Sequence, residues 1–383
     1  MRILFSSLPS HGHTYPLIPL ALAASDAGHE VLFATGESFH RSLEAFGLDA
    51  VVAGMPIFEA FAEANGGSLD RAAMTEQRRN ELVAKVFGTV LPRVFARDLA
   101  PVLARIGPDL VVHEAGNPGA FIAAKRAGIP GICHGFGRVA PSGADDSMRD
   151  ALVAVAREFG VEFPTGFARG GGDPYLDIYP ASMQGEVFLE TVPRIPLRPV
   201  PVSEPGNVPA VVTGRDQGRP LVYLTLGTAF GAIPVLRQAI EGLAALDTDV
   251  LVAAGPTIDV AALGEVPDNV KVEAWVPQAE VLPHVDLVVH HGGSGTTLGA
   301  LANGLPQLIL PQGADQFSNA EAVSMAGAGT QLLAADLAAD AITIRAKHLL
   351  TDEAARAAAQ AVAAEIAAMP SPAATVEVLT GLV

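Results

Sequence analysis

Cysteine is nearly missing from this 383-residue chain, Cys133 being its only one. An intramolecular disulfide is therefore excluded, and thiol redox or thiolate–zinc chemistry has almost nothing to work with. Cys133 follows Ile132 in an apolar run and reads as a core residue. Aromatic residues make up only 5% of the chain, so the core must be built mainly from Ala, Val and Leu. Positive charge is scarce too: 24 Lys and Arg stand against 41 Asp and Glu, a formal net charge of −17. Such a field repels phosphate backbones and anionic headgroups, which makes nucleic acid and membrane surfaces poor partners. No unbroken apolar run approaches the ~18–20 residues of a membrane-spanning helix. The N-terminal MRILFSSLPSHGH offers a basic residue and a short apolar stretch, but Pro9, His11 and His13 interrupt it, so no secretory leader is expected. A cytoplasmic protein is expected.

What is plentiful is apolar surface: half of the residues are hydrophobic. That favours a folded chain over a disordered one, and the length suffices for two domains with their own cores. Residues 2–8 read as a buried strand, 9–13 as a loop, Tyr15 to Ala27 as a helix ended by Gly28, and HEVLFATG as a second strand. PDLVVHE (108–114) and GICHGF (131–136) continue the alternation around an Ala-rich helix at 119–127. Helical insertions at 54–100 and 145–160 break it. From Val192 to Ala210 the chain carries Pro193, Pro196, Pro199, Pro201, Pro205 and Pro209, which favours an extended connector over helix or central strand. Strands then recur at 221–227, 249–255, 270–276, 286–291 and 306–311, and an Ala-rich helical region follows Leu337. The expected fold class is α/β: two Rossmann-like doubly wound domains facing across a cleft. Residues 1–195 form the first domain, 196–219 the Pro-rich linker and 220–365 the second. Residues 366–383 are a helix returning to the first domain.

Ligand sites in open α/β sheets lie beyond the carboxyl ends of strands, and several chemistry-bearing residues fall there. His13 follows the first strand; an imidazole titrating near neutrality can take a proton from a hydroxyl, or it can simply solvate or cap the loop. His11 reads as a loop residue. Glu114 ends PDLVVHE and can orient His13 and stabilise its charged form, or stand as a solvated carboxylate. HHGGSGTTLGA (290–300) joins a strand to a helix. Its small residues, Gly293, Ser294 and Gly295, let backbone N–H groups approach phosphate oxygens at a helix N-terminus, while His291, Thr296 and Thr297 add donors. It matches neither the dinucleotide fingerprint nor a Walker A loop, and a plain strand-to-helix turn explains it equally well. Trp275, the only tryptophan, ends a strand before Val276-Pro277-Gln278 and can stack a base or pack in a core. Asp315 and Gln316 follow another strand and suit sugar hydroxyls, though helix N-capping accounts for Asp315 too. Thr228 can reach a phosphate or an acceptor.

These residues resemble the bacterial natural-product glycosyltransferases of family 1, with the two-domain GT-B fold. The similarity is carried by EVPDNVKVEAWVPQAEVLPHVDLVVHHGGSGTTLGAL, with SLPSHGHTYPLIPLA and LVYLTLGT, and is greatest to the subgroup that glycosylates enediynes such as calicheamicin. It spans the chain and is weakest at 54–100 and 140–200, where such enzymes form the acceptor pocket. The resemblance implies that His13 is the base for inverting attack, with Glu114 where the family usually has Asp. It implies that Trp275 stacks the nucleobase. His291 then receives the diphosphate, and Asp315 and Gln316 the sugar; Val276, Gln278, the 293–296 loop and Thr228 are counted with them as donor-binding. Many UDP-sugar members carry a Glu for the ribose hydroxyls where this chain has Gly299, which favours a dTDP-linked, deoxygenated sugar. No metal and no cofactor beyond that donor is expected. The partners are a nucleotide-sugar donor and a small lipophilic acceptor such as an enediyne or polyketide, and a homodimer is compatible with the sequence. Two other readings share the fold: a nucleotide-sugar epimerase, which needs cleft carboxylates and no lipophilic pocket, and a non-catalytic helper of a partner glycosyltransferase. A dinucleotide dehydrogenase lacks its glycine fingerprint.

Overall fold

A computed structural model of the chain describes residues 1–67, 74–139, 146–164, 171–214, 218–228 and 233–382. They fold around two parallel sheets. The first holds β1 (Arg2–Ser6), β2 (Glu30–Thr35), β3 (Asp49–Val52), β4 (Leu110–Glu114), β5 (Gly131–His134), β6 (Tyr175–Asp177) and β7 (Arg194–Pro196), in the order β3-β2-β1-β4-β5-β6-β7. The second holds β8 (Leu221–Thr225), β9 (Asp249–Ala253), β10 (Val270–Glu273), β11 (Leu287–His290), β12 (Gln307–Ile309) and β13 (Gly329–Gln331), in the order β10-β9-β8-β11-β12-β13. Strands β1, β4, β8 and β11 are buried almost from end to end, as expected of parallel strands covered on both faces. In each sheet the strand order reverses once, between β1 and β4 and between β8 and β11, and residues from these strand ends build the site.

Sequence patterning misses β3, β6, β7 and β13. Each has only three or four residues, too few for an apolar run to stand out from its neighbours. β7 ends on Pro196 and lies at the sheet edge, where a missing N–H costs no ladder bond. Two site residues are placed differently from expectation. β10 stops at Glu273, so Trp275 lies in the loop beyond it, and His11–Thr14 forms a single helical turn rather than a loop.

The insertion at 54–100 contains helices Ile57–Asn65 and Glu76–Lys85 and a π-helical turn, Val86–Val90, that runs into helix Leu91–Ile106. The second insertion contains helix Asp146–Glu158. Residues 68–73 of the first and residue 145 of the second lie outside the described residues, as do 215–217 of the linker and Val383. The linker includes one short helix, Ala210–Thr213.

The C-terminal helices Glu353–Ala368 and Pro372–Thr380 form an apolar stretch long enough to cross a membrane by length and composition. The stretch is broken at Met369–Ser371, and Ala355, Ala359, Val362 and Ile366 of its first helix are buried at helical spacing. Its second helix packs on helix Ile18–Asp26 of the first sheet's layer, and Val376 and Leu379 join a core cluster with Leu17, Ile18 and Ala21. Arg198 of the linker pins the crossing, donating from its backbone N–H to Pro370 O (2.8 Å) and from Nε to Met369 O (3.1 Å).

Helices Leu91–Ile106 and Pro118–Arg126 approach so closely at Gly119 that an added Cβ would stand 2.7 Å from Phe95 Cβ and press on Pro92 O. Neither neighbour is a flexible chain end, so the helices must separate. Gly119→Ala is expected to cost about 1–3 kcal/mol through overpacking. A urea titration should show a lower midpoint with unchanged slope.

Candidate active site

The first half of the site is assembled at the ends of β1 and β4, which are hydrogen-bonded neighbours. After β1 the chain enters the His11–Thr14 turn, where buried Thr14 Oγ1 lies 2.9 Å from Ser7 Oγ and donates to Leu8 O at 3.1 Å. Those bonds hold the turn against the sheet and direct His13 at the end of β4. His13 Nδ1 lies 2.8 Å from Oε1 of fully buried Glu114. The same oxygen accepts the Gly116 N–H. A side chain at 116 would stand 2.6 Å from Glu114 Oε1 and 3.0 Å from His13 Cε1, so only glycine fits that turn.

With Nδ1–H donating to the carboxylate, the neutral ring carries its lone pair on Nε2. Burial disfavours a charged His13. The adjacent Glu114 carboxylate, the hydrogen bond they share and the charge of Asp315 outweigh it, and the pKa lies above the ordinary histidine value. The Phe136 ring packs 4.7 Å from the imidazole, centroid to centroid.

The second half is built at the ends of β8 and β11. Buried His290 lies with Nε2 2.8 Å from Gln307 Oε1 and accepts Gly292 N–H on Nδ1 at 3.1 Å, so it is a neutral brace for the loop. Burial lowers its pKa to about 3, with the neighbouring His291 adding to the effect. His291 itself fits between two glycines: a Cβ on Gly227 (φ +76°) or on Gly293 would run into its ring. Burial holds its pKa at about 4, so it acts as a neutral hydrogen-bonding group rather than a cation. Helix Ser294–Ala302 starts immediately afterwards, with its first N–H groups free of intrahelical partners.

A cavity of about 230 Å³ lies between these halves. Among the residues singled out from sequence, Thr228, Trp275, Val276, Gln278, His291, Gly293, Ser294, Gly295 and Thr296 line it. His13 and Glu114 sit beside it, next to the lining residues Gly12 and Phe136. Trp275 is 43% exposed, which removes the core-packing reading. Gln278 accepts from Thr296 Oγ1 at 3.1 Å and from the Tyr223 hydroxyl at 3.4 Å, committing its carbonyl oxygen away from any ligand.

Asp315 makes no side-chain cap to the helix it precedes, which disfavours the N-capping reading. Its Oδ2 accepts from Ser294 Oγ (2.8 Å) and Asn319 Nδ2 (3.2 Å). Ala314 before it has φ +54°, an unfavourable conformation for a residue with a Cβ. Gln316 is buried, and its Oε1 accepts the N–H groups of Gln312 (2.7 Å) and Gly313 (3.0 Å). Its carbonyl oxygen therefore shapes its own loop, which leaves the amide nitrogen as the group it can offer a sugar.

Residues missed in the sequence complete the cleft. Gly137, after β5, packs on Ser294 so closely that a Cβ there would collide with Oγ. Arg138 donates from Nη1 to Ser318 O (3.1 Å) and Ser318 Oγ (2.9 Å), and the Tyr179 hydroxyl bonds Asn319 Oδ1 (3.1 Å). The linker is part of the wall as well: Pro199 to Ser203 line the cavity, and Ser203 Oγ accepts the Ala279 N–H at 2.8 Å. No local motif marks these positions, because their partners lie over a hundred residues away or on the other side of the cleft. Among the described residues, no group of three or more His, Cys, Asp or Glu side chains is placed to hold a metal ion. An Asp247-Thr248-Asp249 triplet lies at the start of β9, the far edge from the cleft, and both carboxylates pair with Arg219 at 3.2 Å.

Residues 237–382 match the family described as Erythromycin biosynthesis protein CIII-like, C-terminal domain. Along the whole chain, the elloramycin glycosyltransferase ElmGT of Streptomyces olivaceus is 36% identical, covering 97% of this chain and 95% of its own. The L-demethylnoviosyl transferase of Streptomyces niveus is 34% identical, covering 87% and 85%. The chain belongs to the family 1 glycosyltransferases of antibiotic biosynthesis. Solved structures in this family agree with the architecture. Glycosyltransferase VinC in complex with dTDP has a TM-score of 0.79 at 26% identity, covering 100% of this chain and 99% of its own. Spinosyn rhamnosyltransferase SpnG complexed with spinosyn aglycone has 0.81 at 27%, covering 99% and 100%. The calicheamicin glycosyltransferase CalG4, at 22% identity and a TM-score of 0.81 over 99% of this chain and 97% of its own, shares the GT-B fold.

Within this glycosyltransferase His134 and His290 are fully buried and His291 is half-buried at the cavity wall, with pKa values lowered to about 4, about 3 and about 4. Unfolded, each binds a proton near pH 6.5, whereas the folded chain excludes those protons until the pH falls to the lowered values. Their contribution to stability is complete above about pH 6.5 and lost as the pH drops toward 4. Urea midpoints should fall steadily between pH 7 and 4.5. His134→Gln should flatten that dependence by about one proton; an unchanged dependence would show that His134 is not buried in its neutral form.

Proposed function

We propose that this glycosyltransferase moves a deoxysugar, with inversion, from a dTDP-sugar to a hydroxyl of a lipophilic polyketide or enediyne acceptor. The observation that carries the reading is the His13–Glu114 pair standing beside a cradle of neutral donors, His291, Gly293 and the first turn of helix Ser294–Ala302. The names of relatives such as the aclacinomycin-T 2-deoxy-L-fucose transferase and the 3-alpha-mycarosylerythronolide B desosaminyl transferase, each pairing a sugar with an acceptor, support it.

In this mechanism His13 Nε2 takes the acceptor hydroxyl proton as the oxygen attacks the anomeric carbon. The bond from that carbon to the diphosphate oxygen breaks on the opposite face, and dTDP leaves as the anion. Glu114 fixes the ring tautomer and offsets the positive charge that forms. Helix and glycine N–H groups receive the charge developing on the diphosphate. Trp275 offers a face to the base, and Asp315, at the edge of both halves, is the group for the sugar hydroxyls.

His13→Ala should lower turnover on a neutral alcohol by ~10²–10⁴-fold, the usual worth of a positioned proton acceptor. The wild-type rate should fall below a pKa raised above 6.5. Glu114→Gln removes what raises it, so that limb should move to lower pH while the rate above it drops. Near-normal turnover of His13→Ala on such an acceptor would reject His13 as the base.

Gly299 supports the choice of nucleotide in this reading. It lines the cavity, and among the described lining residues there is no Asp or Glu, so the wall offers no carboxylate to a ribose 2′-OH. dTDP should raise the melting temperature more than UDP, and Gly299→Glu should narrow the gap. Equal stabilisation of the wild type by both would remove the dTDP assignment. Transfer should also persist in excess EDTA, because the cradle offers N–H and hydroxyl donors rather than the carboxylates Mg²⁺ favours; loss on chelation with recovery on Mg²⁺ would overturn this.

A further inference from the structure

His11 and Trp275 meet across the cleft. Their ring centroids lie 5.4 Å apart at an interplanar angle of 43°. On its other sides His11 is packed by the rings of Tyr15 and Phe39, each 5.0 Å away. Tyr15 is held in turn, its hydroxyl donating to Glu204 at 2.5 Å, and Ser42 Oγ donates to the same carboxylate at 2.6 Å. Next to Glu204, Ser203 Oγ accepts the Ala279 N–H, four residues beyond Trp275. The indole is therefore backed by a box of first-sheet residues and strapped by the linker.

A separation of 5.4 Å is direct contact, within the range where aromatic pairs attract, and leaves no space for a base between the rings. The imidazole must support the indole rather than face it across a ligand. Burial lowers the His11 pKa against the opposing pull of Glu204, which keeps the ring neutral and suited to that packing.

We propose that His11 is a positioning residue for the donor, holding the Trp275 indole at the angle from which it stacks the nucleobase. The proposal rests on the reading of Trp275 as the base platform. It makes the affinity of the second α/β unit for nucleotide depend on a side chain of the first. Base stacking and closure of the cleft then favour each other by the same factor. His11 and the proposed base His13 share one helical turn, so the acceptor-side chemistry and the donor-side brace move together.

Trp275 is the only tryptophan, so the emission of the intact protein reports on this contact directly. Titrating the wild type with dTDP should quench that emission to a plateau. His11→Ala should shift the emission to the red and raise the dTDP Kd roughly two- to tenfold, the span expected for loss of one aromatic contact. His11→Gln, which keeps the size and polarity without an aromatic face, should behave like Ala. His11→Phe should restore both emission and affinity. Wild-type Kd values in the Ala and Gln variants would overturn the positioning role while leaving the donor reading intact. A wild type whose emission and melting temperature both ignore dTDP would overturn the donor reading and this proposal together.

Discussion

The Asn319 side chain is bonded in four directions at once. Its amide nitrogen donates toward Gly292 O at 2.8 Å, Ser294 Oγ at 3.1 Å and Asp315 Oδ2 at 3.2 Å, and its oxygen receives the Tyr179 hydroxyl at 3.1 Å. Three of those partners belong to the loops that shape the second half of the site, and the fourth comes from the first sheet's layer. Both Asn319 and Tyr179 are completely buried. Separating the halves would leave the Tyr179 hydroxyl and the Asn319 side-chain oxygen without partners unless water replaced them, at about 1–3 kcal/mol for each group left unsatisfied. Arg138, bonded to Ser318 one residue earlier, adds a charged bond to the same seam. The glycine loop, Asp315 and the closed cleft are thus one hydrogen-bonded unit.

Close approach, at the seam and within the first half, also explains two glycines that have no role in chemistry. Gly137 allows the β5 loop to rest on Ser294, and Gly116 leaves room for the Glu114 carboxylate to reach both a backbone N–H and His13. The second case bears on the choice of Glu over the family's usual Asp. One extra methylene is accommodated here at an ordinary 2.8 Å hydrogen bond, within a turn that only glycine can make.

Much of the architecture was legible in the sequence, because parallel strands covered on both faces must be continuous apolar runs, as in LVYLT and LVVH. The glycine-rich loop, His13, Glu114 and Trp275 were legible for a related reason: strand ends in such sheets are few, and polar or aromatic residues placed there stand out. What stayed hidden depends on pairing between distant segments. Tyr179 and Asn319 are 140 residues apart, and nothing near either one marks the other. The bracing bonds of Gln316 were hidden too, because the backbone N–H groups it satisfies are visible only once the 312–316 loop is folded. His11 read as a loop residue because the partner that gives it meaning lies across the cleft.

Among the described residues the cradle contains no fixed cation: its histidine is neutral and its other donors are backbone and hydroxyl groups. Around it is a protein of net charge −17. A nucleotide anion therefore approaches uphill through the long-range field and is captured only by dipoles that act over a few ångströms. Added salt screens the repulsion far from the surface much more than it weakens the buried contacts. On the proposed donor reading, encounter speeds up as ionic strength rises, opposite to the usual behaviour of anion-binding sites lined with lysine and arginine. The spent nucleotide, once out of reach of the loop, is driven off by the same field.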